Sequence, residues 1–537
     1  MSNMFSGKRI RIVRFEECDL EPTDAEFYKE FSKYNEVSWW IVLLFLMTAF
    51  CHFSVKLDDS MEEHGSVREV SCIYDGLRAL DWPIHDIIEV FYPDIGLACS
   101  IYGYNITELK LLPYEEALEK AHQMETPELV CCSDPVDDKT FSWDPTFFGT
   151  CKAYLYKQRI LGSRAVGIAI GSIILGFTAD ILGRKVALTI SIGLYFLGTT
   201  TQTLFRNFII VRMTTGIRGV GRAGIDQALQ LLMLEHAGKV SRPYLVIYAT
   251  ALGSVGLLAG VDMKRNLQGY CKELRFILVI PSLIFLFYMW YVPESPRWYL
   301  SYCRKKKAWL VLHKLGTRID QLHFLPDIQL GKIKLLTENM TFLCNSWKLL
   351  RIILLGTLLL TFVLFTEFSK TQYVTLKYLR PYSHHAILAL ARIFSFMYLL
   401  LPVMMLRRRL ALLWFHSLIS FQLFITLFID DVIFYVINTL IFVCAHAARS
   451  ILRLYLTEVF PTCIRGTSFG LIRCIAISFH AFYFSYDQRV SHVKTLLERL
   501  LYVFASLSTL IMIWFLPEIR LGELPDYKRY RRDYKIA

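Results

Sequence analysis

Charge is scarce in this sequence. Asp, Glu, Lys and Arg supply 20% of its 537 residues, against about a quarter in soluble domains. Together with 54% hydrophobic residues and a mean hydropathy of +0.39, that scarcity excludes a soluble enzyme, a fibrous protein and a disordered scaffold. Other absences narrow the field further. The polar segments hold no Gly-Lys-Ser/Thr loop to cradle ATP phosphates, no nucleophile elbow, no zinc signature and no dinucleotide-binding glycine loop. Neither catalysis nor ATP-driven pumping is expected, and no cofactor or metal. The first 37 residues are polar and lack an apolar core, so no cleavable signal peptide is expected. A net charge of +12 does not call for nucleic acid, because the cytoplasmic loops of membrane proteins collect Lys and Arg.

What the chain has instead is long apolar runs. A bilayer-crossing helix needs about 20 predominantly apolar residues. Runs of that kind lie near 39–53, 161–179, 186–205, 207–232, 244–262 and 275–293, and again near 348–368, 384–406, 410–428, 431–453, 466–486 and 496–516. The spacing predicts an all-α membrane protein of twelve transmembrane helices arranged as two six-helix halves. Residues 1–38 form a cytoplasmic segment, 39–293 the first half with a large loop at about 54–159, 294–347 a cytoplasmic linker with amphipathic helices, 348–516 the second half and 517–537 a cytoplasmic tail. No internal repeat is legible residue by residue.

Sidedness follows from charge. The first loop is acidic, with Asp58, Asp59, Glu62, Glu63, Asp134, Asp137 and Asp138. The alternate side holds Arg184 and Lys185, Lys239 and Arg242, Arg304 to Lys307, Arg407 to Arg409 and Lys528 to Lys535, which by the positive-inside bias is cytoplasmic. Both termini then lie inside. The first loop also carries Cys72, Cys99, Cys131, Cys132 and Cys151, with Cys51 at its mouth, and an oxidising compartment would allow disulfides whose pairing stays open. Asn105-Ile106-Thr107 is an expected glycosylation site in that loop, whereas Asn339-Met340-Thr341 falls in the linker and should go unused.

Charged turns carry the functional signal. Gly176-Phe-Thr-Ala-Asp180-Ile-Leu-Gly183-Arg184-Lys185 occupies the turn between the second and third runs. A glycine there lets two helices approach closely. Arg212 and Gly216 follow in the fourth run, Glu235 and Arg242 at its end, and Pro293-Glu294-Ser295-Pro296-Arg297-Trp298 after the sixth. Tyr455-Leu-Thr457-Glu458-Val-Phe-Pro461-Thr462-Cys-Ile-Arg465 precedes the eleventh, and Leu516-Pro517-Glu518 with Leu524-Pro525-Asp526 follows the twelfth.

In order and spacing these elements resemble the major facilitator superfamily. The segment before the eleventh run, the tail and the cysteine-bearing first loop, which ends in Trp143-Asp144 and Cys151, are similar to its organic ion transporter family of cation, anion and carnitine carriers. The resemblance spans about residues 39 to 526. It implies two halves related by pseudo-symmetry, with a small organic ion bound between them near the midplane. Transport would then run by rocking of the halves, as uniport or exchange, with membrane lipid around the protein and a coupling or exchange ion as a further partner. Ion pairs at the cytoplasmic helix ends would hold the inner gate, Asp180, Arg184, Glu235 and Arg242 serving the first half and Glu294, Arg297, Glu458 and Arg465 the linker and second half.

The chain departs from that family at three places. Ile477 stands where the family has a charge twelve residues after the helix-11 arginine, Glu367-Phe368-Ser369 stands for Tyr-Tyr-Gly, and Leu400 replaces an acid. Charge selectivity therefore stays open, and the gate is untouched. Charges inside apolar runs cost a few kcal/mol unless paired or wet, which marks Glu367, Arg392, Arg449 and Arg473 as cavity candidates, with Phe368 and Tyr373 as aromatic faces for an organic ligand. Local pairing is the simpler explanation for Asp226, four residues from Arg222, and for Glu367, three residues from Lys370. Two other functions are compatible with the same fold: a sugar-type porter, and a membrane receptor or scaffold that has lost transport. The leading expectation is a multi-pass plasma-membrane carrier of small organic ions.

Overall fold

The computed structural model describes residues 39–63, 100–102, 129–131, 151–205, 207–237, 241–266, 292–302, 304–314, 332–374, 381–429, 432–487 and 496–518. Among these, five long helices come first: α1 (Trp39–Glu63), α2 (Cys151–Ile181), α3 (Arg184–Leu204), α4 (Phe208–His236) and α5 (Ser241–Asn266). Between α1 and α2 two three-residue strands, β1 (Ser100–Tyr102) and β2 (Leu129–Cys131), pair antiparallel with Ile101 opposite Val130. Three short helices follow, α6 (Pro296–Ser301), α7 (Lys305–Lys314) and α8 (Lys332–Asn345). The last six are α9 (Trp347–Val374), α10 (Pro381–Met405), α11 (Arg408–Ile425), α12 (Val432–Val459), α13 (Arg465–Asp487) and α14 (Leu496–Trp514). Most of the run expected at 275–293 lies outside the described residues.

Helix ends follow local chemistry. Asn207 caps α4 by accepting from the Ile209 N–H at 2.9 Å, and Ser295 caps α6 with Pro296 in its first turn, where a missing N–H costs nothing. Gly183 turns α2 into α3 at φ +112°, a conformation that side chains rarely adopt, and a Cβ there would strike the Glu294 carboxylate.

Packing repeats. In the first group α2 packs on α4, α3 on α4 and α1 on α5; in the second, α10 packs on α12, α11 on α12 and α9 on α13. The groups meet through α2 against α13 and α5 against α10, which are themselves equivalent pairings. The surface is inverted relative to a soluble protein. Met213, Phe394, Phe421 and Phe504 are exposed, while Asp180, Arg184, Glu235 and Arg465 are buried. That distribution suits a chain whose outside is lipid and whose inside must satisfy its own polar groups. Gly162–Ile181, Trp347–Ser369 and Val436–Val459 are each long and apolar enough to cross a membrane.

Two expected boundaries move. Helix α1 continues ten residues beyond the apolar run, to Glu63, and α2 starts at Cys151 rather than near 161, so the loop is shorter than 54–159. The polar residues continue the helix because their backbone bonds are intrahelical whatever the solvent. Cys51, expected at the loop's mouth as a disulfide candidate, is instead a free thiol buried beside Leu44, Met47 and Val55 on the inward face of α1. Cys131 ends β2 and Cys151 opens α2, while Cys72, Cys99, Cys132 and Asn105 lie outside the described residues. Asn339 is 2% exposed within α8, leaving no room for a glycan. The linker helix α6 docks on protein, with the Trp298 indole N–H and the Tyr302 hydroxyl both donating to the Asp180 carbonyl at 2.8 and 2.7 Å.

Candidate functional site

One end of the helix bundle is closed by a charge network that joins the two groups. Its centre is Glu235, fully buried at the end of α4. Arg184 donates to it through Nη2 at 3.0 Å and Arg465 through Nη1 at 2.7 Å, and the Ser295 hydroxyl makes a short contact with its other oxygen. Arg184 begins α3 and Arg465 begins α13, so one carboxylate ties opposite groups together. Arg184 also reaches across to the Thr462 carbonyl at 2.6 Å.

Asp180 works the same junction from α2. Its carboxylate accepts from the Gly466 N–H at 3.0 Å, the Thr467 N–H at 2.7 Å and the Thr467 hydroxyl at 2.7 Å. These donors are the free N–H groups of the first turn of α13, the end of a helix that favours an anion. The approach is close because glycines face each other: a Cβ on Gly466 would lie 2.6 Å from the Gly176 carbonyl, and one on Gly176 would lie 2.5 Å from the Gly466 carbonyl. Gln227 on α4 donates to the same Gly466 carbonyl at 2.6 Å.

Glu294 holds the linker to this end. Its carboxylate accepts from the backbone N–H groups of Arg184 (3.0 Å), Lys185 (3.0 Å) and Ser295 (2.9 Å). Burial pushes its pKa up to about 7, against the pull of those donors and of Arg184. Burial likewise raises the Tyr302 hydroxyl. Glu458 pairs with Arg408 at 3.2 Å inside the second group, a copy of the Arg184–Glu235 pair on equivalent helices. Even the backbone contact repeats: Arg184 Nη1 donates to the Ala179 carbonyl, Arg408 Nη1 to the Val403 carbonyl, each five residues back. Arg242 donates to the Leu234 carbonyl at 3.0 Å, and Arg297 is buried nearby.

Two further clusters lie along the helices away from this end. Asp226 on α4 meets Arg473 of α13 at 2.9 Å, Arg453 of α12 at 3.8 Å and His52 of α1 at 3.5 Å. Glu367 on α9 meets Arg449 of α12 at 2.7 Å, His446 of α12 at 3.0 Å and Arg392 of α10 at 4.0 Å.

Comparison with known proteins now gives this geometry a family. Residues 138–529 match the family described as "Sugar (and other) transporter". The chain belongs to that family. It is one of transporters, not enzymes. Solved structures agree on the fold: the proton:xylose symporter XylE bound to 6-bromo-6-deoxy-D-glucose superposes with a TM-score of 0.61 at 15% identity, over 92% of this chain and 99% of that one. The human organic anion transporter MFSD10 (TETRAN) superposes at 0.53 and 12% identity, over 88% and 98%. This is the major facilitator fold, and the protein is therefore a multi-pass membrane protein. Among relatives, an organic cation transporter protein of Drosophila melanogaster is 26% identical over 42% of this chain and 40% of its own length. Solute carrier family 22 member 2 of Mus musculus is 28% identical over 28% of each chain, and the human organic cation/carnitine transporter 2 is 23% identical over 67% of this chain and 66% of that one. The aligned part spans well under half the length of the first two.

Within this fold the gate residues expected from the sequence mostly converge. Gly176, Asp180, Gly183, Arg184, Glu235, Glu294 and Arg465 form one network, with Lys185 contributing its backbone N–H. Arg212 does not belong. It is exposed near the opposite end of α4 and donates to the Ser163 hydroxyl at 3.1 Å, some 23 residues, or roughly 35 Å of helix, from Glu235. Glu294 serves the linker, as expected, and also α3. Asp226 pairs with Arg473 and Glu367 with Arg449 and His446, each across a helix interface, and the Lys370 side chain lies outside the described residues. A buried carboxylate gains more from donors within hydrogen-bond reach than from its sequence neighbour. Phe368 stands edge-on to His480 at 5.1 Å, and the Tyr373 side chain lies outside the described residues. The partners that sequence reasoning missed are Thr467, Ser295, Gln227 and His52, uncharged or isolated residues with no spacing to mark them.

Proposed function

We propose that this protein carries small organic ions across a membrane by alternating access, and that it favours organic anions or the carboxylate of a zwitterion. The observation that supports this charge preference is the surplus of arginine around the two mid-helix carboxylates. Arg453 and Arg473 share Asp226, and Arg392 and Arg449 share Glu367. Four guanidinium groups against two carboxylates leave positive charge for a solute to neutralise. Arg392, Arg449 and Arg453 keep about a fifth of their side-chain surface open, and bidentate recognition of a carboxylate is what guanidinium groups do well.

The network at Glu235 supplies the other half of the cycle. It ties opposite groups only while they touch, so it must break when that end opens. We place that end in the cytoplasm, where its Arg and Lys clusters belong, with the α1–α2 loop outside, its cysteines paired and Asn105 glycosylated. The relatives named for organic cation and carnitine transport support organic ions over sugars. Uptake of a labelled panel of an organic anion, a zwitterion and a cation into proteoliposomes tests the reading. Saturable uptake of the anion or zwitterion, reduced by Arg449→Gln and by Arg473→Gln, is expected. Saturable uptake of the cation alone, unaffected by either change, overturns the charge assignment, and no uptake of any solute overturns transport.

A further inference from the structure

We propose that the arginines gathered where α9, α11 and α14 meet one membrane boundary form a headgroup site for an anionic phospholipid, whose chains lie along the exposed apolar faces of α9 and α14. Such a site belongs to the bilayer side of the protein and is independent of the solute carried.

Two helices set the depth. The apolar stretch of α9 begins at Trp347 and that of α14 ends at Trp514. The two helices pack together, and α14 also packs on α11. Trp347 is 77% exposed and Trp514 66%, which is how amphipathic rings sit at a membrane–water boundary. Leu354 and Ile511, further along the same stretches, are exposed as well. Lipid is the surrounding that such faces require.

Three guanidinium groups gather at that depth. Arg351, one turn inside the α9 stretch, is exposed and donates through Nη2 to the Phe515 carbonyl at 2.7 Å. Arg409 of α11 donates through Nη1 to the next carbonyl, that of Leu516, at 3.2 Å, and lies over the Trp514 ring at 5.5 Å. Arginines from two helices thus converge on neighbouring carbonyls at the end of a third. Arg407, exposed at the start of α11, makes no capping bond with its side chain. Among the described residues one carboxylate answers this group, Glu518, whose Oε2 lies 3.5 Å from Arg409 Nε. A positive surplus remains. A guanidinium carries five N–H groups, so the bond that anchors Arg351 leaves most of its fork for a phosphate.

The first group is covered where the second is open. There the equivalent helix start, Arg184 and Lys185, lies under the linker: Glu294 accepts from both backbone N–H groups, and α6 docks against α2. At Arg407 and Arg409 only Glu518 plays that part among the described residues. A phosphodiester with a further negative group, as in phosphatidylserine, matches the surplus, and the choline of phosphatidylcholine opposes it. The neighbouring apolar faces select a lipid over a soluble phosphate, because they bury acyl chains that a soluble anion lacks. When occupied, the site ties the ends of α9, α11 and α14 through one headgroup.

Titration of the purified full chain in detergent micelles with dioleoylphosphatidylserine or dioleoylphosphatidylcholine, with bound lipid counted by native mass spectrometry, tests the site. A basic residue beside an anionic headgroup contributes about fivefold in affinity. Arg351 and Arg407 together therefore predict a preference of about 25-fold for the serine lipid. It should fall to about fivefold in Arg407→Gln and to about one in Arg351→Gln/Arg407→Gln. The control Lys306→Gln/Lys307→Gln, which removes exposed charge from α7, should keep the preference of the parent. Equal binding of the two lipids to the parent overturns the site, as does a preference that survives the double arginine variant or falls equally in the lysine control. If the double variant does not fold, Arg407→Gln decides, and an undiminished preference there overturns the site. Glycerophosphoserine, the headgroup without chains, should not displace the serine lipid when present in molar excess. Displacement would give the site to a soluble anion and overturn the lipid assignment.

Discussion

Arg465→Gln tests the closed end of the molecule through a reporter that the protein already carries. Arg465 is fully buried and donates to Glu235 of the opposite group at 2.7 Å. Glutamine keeps a polar group but not the charge or the reach. A hydrogen bond between charged groups contributes about 1.5–3 kcal/mol. The lower end applies here, because Arg184 still holds Glu235 at 3.0 Å and the change removes its repulsion with Arg465. At about 1.4 kcal/mol per tenfold, the open population at this end should rise roughly tenfold. Cys463, two residues away and 5% exposed, reads that population. Burial also pushes its thiol up to about 12, so in the closed state it is both covered and unreactive. Labelling with a membrane-permeant maleimide, mapped to the Cys463 peptide, should accelerate about tenfold in Arg465→Gln, and Glu235→Gln should do the same. Arg465 also donates to the Phe460 carbonyl at 3.1 Å, so the Glu235 variant separates gate opening from local loosening of that loop. An unchanged Cys463 labelling rate in both variants refutes the latch.

Other predictions follow from the same geometry. Gly466→Ala places a methyl group 2.6 Å from the Gly176 carbonyl, a backbone atom that cannot rotate away, so Cys463 labelling should again rise, by an amount comparable to Arg465→Gln. Asp226→Asn leaves Arg473 and Arg453 without their carboxylate; breaking a buried pair costs about 3–5 kcal/mol, and a lower melting temperature that Asp226→Asn/Arg473→Gln partly restores is expected. A double variant no better than the single would show that the pair is not the cause. Glu294 titrates upward, from 4.5 to about 7. Its folded form therefore holds its proton more tightly than the unfolded chain. The associated stability is present below pH 4.5 and is lost as pH rises through 7. Glu294→Gln should flatten the melting-temperature profile across that window, and a profile with the parent's slope would contradict the assignment.

Much of this was legible in the residues. The turn from Gly176 to Lys185, the Glu235 that follows, and the Glu458-to-Arg465 segment mark helix ends, and helix ends are where buried charge can meet free backbone donors. Apolar runs and polar interruptions place most of the described long helices within a turn or two. The misplacements are instructive. Helix α1 runs on to Glu63 because hydropathy senses the lipid while the helix is held by its own backbone bonds. Arg212 reads as part of the gate by its motif, yet a helix of 29 residues puts its two ends roughly 40 Å apart.

By itself the sequence determined the apolar rods, their punctuation and the identity of the charges that have to be satisfied inside them, since each of these is a property of a window of neighbouring residues. Only the tertiary structure decided the pairings. Asp226 pairs with Arg473 on α13, and Glu367 with His446 and Arg449 on α12. The twofold repetition of Arg184–Glu235 in Arg408–Glu458 is equally invisible along the chain and plain in space. The reason is physical. In a medium that offers few hydrogen bonds, a buried charge settles on the partners that packing brings within about 3 Å, and packing joins residues more than 200 positions apart.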